Sequence, residues 1–377
     1  MMRFGILSTY PPTKCGLATF TYALETALTE TRRDEVVIVR SLDEPVRPGV
    51  PASRPGRAPR AELIAGDGAS MRRGLAVLDA CDVAIVQHEY GIYGGPDGEE
   101  VVELLARLDT PVLVVLHTVL PSPSAHQRAV LESVCAHASS VVVMTKLARD
   151  VLTSRYRVAP GKVVIIPHGV AAHQLPAAPA VRSGRKRILT WGLLSPGKGI
   201  EWGIRAVARL RDLDVEYVIA GQTHPKVRAT QGEAYREHLR ELIRELDLES
   251  SVTLDDRYLD ERELDELLGS ADAVLLPYES SEQATSGVLA EAVAARIPVV
   301  ATGFPHAFEL LSGGAGIIAG HADPVSMARG LRTLLEADED ARRDREAAAA
   351  HTTPVTWAAA ADDFRLLAQS VMAERAA

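Results

Sequence analysis

HGVAAHQLPAAPAVRSGRKR (168–187) carries Pro, Ala and Gly with no apolar period, and its reading as an interdomain linker decides the fold. On its N-terminal side short Val/Ile/Leu-rich runs recur: RFGILS (3–8), EVVIVR (35–40), DVAIVQ (82–87), PVLVVLH (111–117), SVVVM (140–144) and KVVIIP (162–167). Continuous apolar runs, unlike alternating ones, fit strands buried on both faces of a parallel sheet. Helical patterns separate them, as in ATFTYALETALTE (18–30) and EEVVELLARL (99–108). The alternation resumes beyond the linker with RILTWG (187–192), VEYVIAG (215–221), SVTLD (251–255), AVLLPY (273–278), PVVAT (298–302) and AGIIAG (315–320). Helical patterns there occupy 233–248, 325–337 and 357–372. Strands alternating with helices on both sides predict two doubly wound α/β domains, 1–175 and 186–355. Two such halves make a cleft, and sheets of this kind bind ligands outside their strand C-termini.

The bulk composition narrows the function classes. With 377 residues and 47% hydrophobic residues, each domain has enough apolar mass for a core, and 24% charged residues exclude disorder as the main state. Asp plus Glu outnumber Lys plus Arg by 50 to 41, so the net charge of -9 gives no global attraction to nucleic acid or anionic lipid. Any polyanion site must be local. Cys15, Cys81 and Cys135 are odd in number and widely spaced, which argues against both a disulfide framework and a zinc site. The start MMRFGILSTYPP (1–12) passes from a short strand into a Pro-Pro turn without a signal-peptide core. PVLVVLHTVL (111–120) falls far short of the ~20 residues that span a bilayer. The expectation is a cytoplasmic protein with no nucleic-acid partner and at most peripheral membrane contact. The Pro- and Arg-rich stretch EPVRPGVPASRPGRAPR (44–60) reads as a solvated loop, or as a basic loop touching an anionic acceptor or membrane surface.

Two stretches suit an anionic ligand. In SSEQATSGVLAEAVAARIPVVAT (280–302) a polar loop passes into an amphipathic helix and then a strand. Thr285, Ser286, Gly287 and Val288 fall at the helix start, where unpaired N–H groups favour phosphate, while Glu291 lies about a turn and a half further in. The same residues read equally as an N-capped packing helix. In WGLLSPGKGIEWGIRAV (191–207) a strand ends in Gly192, and a Pro-Gly turn presents Lys198 before a helix. A lysine on a glycine-flanked turn can reach a diphosphate as a point charge, although the P-loop spacing is absent. In the N-terminal half VQHEYGIYGGPDG (86–98) and VLHTVLPSPSAHQR (115–128) each deliver a histidine from a strand end into a polar loop. These are His88, followed by Glu89, and His117; a lone strand-end histidine is usually structural, but two in succession favour function. Gly16, in YPPTKCGLATF (10–20), sits in a turn ahead of a helix where backbone can approach a phosphate or acceptor. Cys15 beside it reads as a small buried thiol.

These motifs together resemble the retaining glycosyltransferases of family 4 over nearly the whole chain. The resemblance implies the GT-B fold, two Rossmann-like domains facing a central cleft, with 356–377 crossing back as a C-terminal helix onto the N-terminal domain. It implies a nucleotide diphosphate sugar, GDP- or UDP-linked, as donor, mannose among the candidates, and a hydroxyl acceptor. No cofactor and no metal are expected. Residue by residue, Lys198 matches the family lysine on the donor diphosphate, and Glu291 the glutamate on the nucleotide ribose. Ser286 and Gly287 match the loop on phosphate and sugar, and His117 the histidine near the donor sugar. His88, Glu89 and Gly16 fall to the sugar or acceptor pocket. Two positions depart: Leu193 stands where the family has arginine, and Gln283 where it has its first glutamate. Losing the arginine removes a charge-assisted contact to the leaving diphosphate. His224, Lys226 and Arg228 in AGQTHPKVR (220–228) are the candidate substitutes. IIPHGV (165–170) matches a hinge-side segment, and His168 is assigned no chemistry. The departures keep two alternatives open: another GT-B enzyme such as a UDP-sugar epimerase, and a sugar-nucleotide-binding protein with weak catalysis.

Overall fold

Val83–His88, VAIVQH, is buried at every position, and so is Val112–Leu116, VLVVL. Residues apolar on both faces are stable only inside a sheet covered on both sides, which is how the chain uses them. The computed structural model describes residues 1–32, 34–45, 58–171, 184–281, 285–352 and 355–376. Two compact units are formed, one from Met1–Gly169 with Val355–Ala377, the other from Val170–Pro354.

The first unit holds a parallel sheet of β1 (Arg3–Ser8), β2 (Glu35–Leu42), β3 (Ala61–Ile64), β4 (Val83–His88), β5 (Val112–Leu116), β6 (Ser140–Val143) and β7 (Val163–Ile165). Their order across the sheet is β3-β2-β1-β4-β5-β6-β7. Chain direction across the sheet reverses between β1 and β4, the switch point at which α/β sheets open a crevice. One face is closed by helix Gly16–Arg32 and by the C-terminal helix Trp357–Ala376, whose Ala360, Ala361, Phe364 and Ala368 join a core with Phe4, Ile6, Ile38 and Ile85. The small residues let this last helix approach closely. Arg365 reinforces the contact, its Nε donating to Asp34 at 2.6 Å and one Nη to the Leu28 carbonyl at 2.7 Å.

The second unit repeats the plan with β8 (Lys186–Trp191), β9 (Val215–Ala220), β10 (Val252–Asp255), β11 (Ala273–Leu276), β12 (Val299–Thr302) and β13 (Gly316–Ala319). All pairings are parallel, in the order β10-β9-β8-β11-β12-β13. The period of two is visible in the packing. Ile188, Tyr217, Ile219, Ala273 and Leu275 enter one core, while Leu189, Trp191, Val218, Ala220, Val274 and Leu276 enter the core on the opposite face. Here the switch point falls between β8 and β11. No helix among the described residues is long and apolar enough to cross a membrane.

Candidate active site

In the second unit the loops after β8 and β11 meet at the switch point, and Lys198 is on the first of them. Gly197 and Gly199 flank it with φ of +84° and +61°. Position 199 also demands glycine for space, because a Cβ there would lie 2.0 Å from the Pro277 carbonyl oxygen. The turn is thus pressed onto the chain leaving β11. Glu279 N–H donates to the Gly197 carbonyl at 2.9 Å, and Trp202 Nε1 donates to Glu279 Oε1 at 2.7 Å. Lys198 Nζ lies 4.1 Å from the centroid of the Tyr278 ring. That ring is buried and stacks on Phe304, 5.3 Å between centroids.

Further along the sheet edge, Ser286 caps helix Gly287–Ala294, its hydroxyl accepting from Leu289 N–H at 3.2 Å. Its own amide does not point outward. Ser286 N–H donates to Nδ1 of the buried His306 at 2.8 Å, so the phosphate contact expected from this amide is already taken. Gly287 and Val288, the first residues of that helix, are left as the amide donors of the segment. Thr285 and Glu291 are both partly buried, the second inside the helix as its spacing requires. Gln283 lies outside the described residues. Just after β13, His321 sits with Nδ1 3.0 Å from the Tyr278 carbonyl and Nε2 3.0 Å from that of Gly303. It ties the chain beneath the Lys198 turn to the end of β12.

The loop after β9 adds His224, whose Nδ1 accepts the backbone N–H of Lys226 at 3.2 Å. Burial first, then Lys226 and Lys198, push its pKa below the ordinary histidine value. Both lysines are therefore electrostatic neighbours of this ring. Arg228 is committed elsewhere, to Glu233 at 3.3 Å.

In the first unit His88 and His117 are at adjacent strand ends, as β4 and β5 pair in register His88 to Leu116. His88 does not reach a polar loop as expected. It is the last residue of β4, fully buried, with neither ring nitrogen hydrogen-bonded, and burial pushes its pKa down to about 4. The reason is the strand itself, which runs one residue further than the apolar run predicts. His117 has Nε2 2.6 Å from Gln87 Oε1, and burial, with the neighbouring His168 and His88, takes its pKa down to about 3. A base so weak stays neutral at pH 7 and positions or hydrogen-bonds rather than shuttling protons. Glu89 accepts from the Thr118 hydroxyl at 2.6 Å. Gly16 is the exposed first residue of helix Gly16–Arg32 rather than part of the turn ahead of it, and a Cβ there would meet no protein atom within 4 Å. Cys15 is likewise only partly buried, with its sulfur 3.2 Å from the Thr9 hydroxyl.

No local motif marks Tyr278, His306, His321 or Gln87. Their roles come from contacts between separate strand ends. No cluster of three or more metal-ligating side chains occurs among the described residues.

Two family models match, "Glycosyltransferase Family 4" over residues 15–174 and "Glycosyl transferases group 1" over residues 185–337, together more than four fifths of the chain. Among curated relatives, the D-inositol 3-phosphate glycosyltransferase of Kineococcus radiotolerans is 27% identical over 310 residues, 72% of this chain and 69% of that protein. The enzyme of the same description from Corynebacterium diphtheriae is 33% identical over 181 residues, 45% of this chain and 39% of that protein. The chain thus spans from about two fifths to seven tenths of the length of these relatives. Among solved structures, sucrose-phosphate synthase from Thermosynechococcus elongatus superposes with a TM-score of 0.77 at 16% identity, covering 99% of this chain and 100% of that one. Anabaena HepE, solved with UDP and glucose, gives 0.75 at 16% identity over 98% and 100%. The fold is GT-B.

Proposed function

We propose that this chain, which belongs to the family 4 glycosyltransferases of GT-B fold, transfers a sugar from a nucleoside diphosphate donor to a hydroxyl acceptor with retention at the anomeric carbon. The observation that carries the reading is the Lys198 turn, held by Gly199 against Pro277 at the switch point of the second sheet, where α/β folds bind nucleotides. Lys198 meets one side of a leaving diphosphate, and the Gly287 and Val288 amides at a helix start supply further donors. Glu291 takes the ribose hydroxyls and Gln283 the sugar. In the front-face reaction the bond from C1 to the diphosphate oxygen breaks while the acceptor oxygen bonds C1 on the same face. The acceptor proton passes to the departing diphosphate oxygen. The charge that develops is met by a lysine and backbone amides, so the proposal requires no metal and no side-chain nucleophile.

The relatives' description, glycosylation of D-inositol 3-phosphate, supports a small polar or phosphorylated hydroxyl acceptor, and UDP in HepE supports a UDP-linked donor beside the GDP-mannose alternative. A thermal-shift panel of UDP, GDP, ADP and CDP identifies the base, because a ligand bound only by the native state raises the melting temperature. Turnover then decides the reaction. Nucleoside diphosphate released only when acceptor is present supports transfer, whereas an epimerised donor, or saturable binding without product, replaces this reading.

A further inference from the structure

Leucine at 193 leaves the diphosphate subsite short of a donor, and the neighbouring loop is built to supply one. The loops after β8 and β9 are zipped together by three backbone hydrogen bonds. Gly192 N–H donates to the Ala220 carbonyl at 3.0 Å, Leu194 N–H to Gln222 at 2.8 Å, and His224 N–H back to Leu194 at 2.8 Å. Leu194 and Thr223 form an isolated parallel bridge between them. Gly221 permits this approach, since a Cβ there would stand 1.9 Å from the Gly192 carbonyl oxygen, and its φ is +139°. His224 is therefore one hydrogen bond away from the residue that follows Leu193.

Its tautomer is set by its own backbone. Because Nδ1 accepts the Lys226 N–H, the ring proton of the neutral imidazole resides on Nε2. Nε2 has no hydrogen-bond partner among the described residues, and the side chain is only half-buried, so this donor is open to a ligand. The charged groups around it are Lys198 from the loop after β8, Lys226 from its own segment, and Glu233 beyond, which accepts from the Thr223 hydroxyl and pairs with Arg228.

We infer that His224 replaces the missing arginine in binding the donor diphosphate, and that it does so as a neutral imidazole whose Nε2–H donates to a phosphate oxygen. This rests on the nucleoside diphosphate reading above. A cationic ring would have to surrender the Lys226 amide, and the two lysines already oppose a third positive charge. Docking a diphosphate through His224 therefore takes up no proton. The neutral donor holds the diphosphate in place while Lys198 remains the point charge for the leaving group.

Isothermal titration calorimetry on the full chain tests this with UDP and GDP, with UMP and GMP as controls, in two buffers of different ionisation enthalpy. His224→Asn retains an acceptor for the Lys226 amide but withdraws the Nε2 donor. Its affinity for the nucleoside diphosphate is expected to fall about tenfold, the scale of one hydrogen bond to a charged acceptor. Its monophosphate affinity and melting temperature should match the parent. Equal diphosphate affinity in parent and variant overturns the assignment. So does a proton taken up by the parent on diphosphate binding and not by the variant, which would make His224 a cation. A parent that binds neither diphosphate removes the donor reading itself, a result distinct from equal binding by both.

Discussion

Lys198 Nζ stands 4.1 Å from the centroid of the Tyr278 ring, which places the one lysine of the β8 loop on an aromatic face anchored in the core. A cation over such a face is held by the ring quadrupole, worth about 0.5 to 2 kcal/mol depending on exposure. The ring thus restricts where the ammonium waits before a diphosphate arrives. Lys198→Ala should lower turnover about 100-fold or more, with little change in melting temperature, if the lysine meets leaving-group charge. Tyr278→Phe preserves the face and should leave turnover near that of the parent, while Tyr278→Leu should lower it several-fold. Steady-state kinetics check this series, and unchanged turnover in Lys198→Ala would end the leaving-group role.

Gly199→Ala is a separate test of the same turn. A methyl group there meets the Pro277 carbonyl at 2.0 Å, and φ of +61° is itself unfavourable for alanine. The substitution should cost roughly 1–3 kcal/mol by denaturant unfolding and displace Lys198, so that stability and turnover fall together. Gly197→Ala, with positive φ but nothing within 4 Å, should cost less. Equal costs at the two positions would show that backbone strain, not the contact with Pro277, sets the penalty.

Most of the sheet framework was legible because strands buried on both faces must be apolar over most of their length, as VAIV (83–86) and VLVVL (112–116) are. The edge strand Ala61–Ile64 was not read, since AELI is four residues long, carries a glutamate and follows a Pro- and Arg-rich stretch. The Lys198 turn was legible through its Pro and Gly punctuation. Its support was not, because Pro277, Tyr278 and His321 reach it from β11 and β13, about 80 to 120 residues away. Ser286 shows the same limit in reverse. Its capping role follows from local sequence, but the loss of its amide to His306 depends on a second loop.

Three imidazoles in the first unit, His88 fully buried and His117 and His168 partly buried, predict an early acid transition. The pKa values of His88 and His168 are pushed down to about 4 and that of His117 to about 3, chiefly by burial. The folded values lie below the unfolded ~6.5, so the unfolded chain binds more protons between them. The stabilisation is complete above about pH 6.5 and falls as pH drops toward 4, each ring contributing a slope of about 1.4 kcal/mol per pH unit. Urea unfolding at pH 7.5, 6 and 5 should show stability decreasing steeply through this window. His117→Asn should remove roughly a third of the slope, and a flat profile between pH 7.5 and 5 would show that these rings accept protons in the folded state.

Arg365 and Asp34, each 4% exposed and 2.6 Å apart, join the C-terminal helix to the first unit's sheet. Asp34 also accepts the Met2 N–H at 2.9 Å, so its carboxylate is committed to two donors in a buried place. Arg365→Met removes the cation and the donors to the Ala27 and Leu28 carbonyls, stranding the carboxylate. The expected loss is about 3–5 kcal/mol, the range for breaking one partner of a buried pair. Asp34→Asn combined with Arg365→Met should be less damaging than the sum of the two single changes, because the second removes the charge that the first leaves uncompensated. The pair's distance from the Lys198 turn along the chain gives the measurement its control. Nucleoside diphosphate affinity at a temperature where the variant remains folded should be unchanged. A strictly additive double mutant would mean that Arg365 acts through its packing and its bonds to the Ala27 and Leu28 carbonyls and not through Asp34.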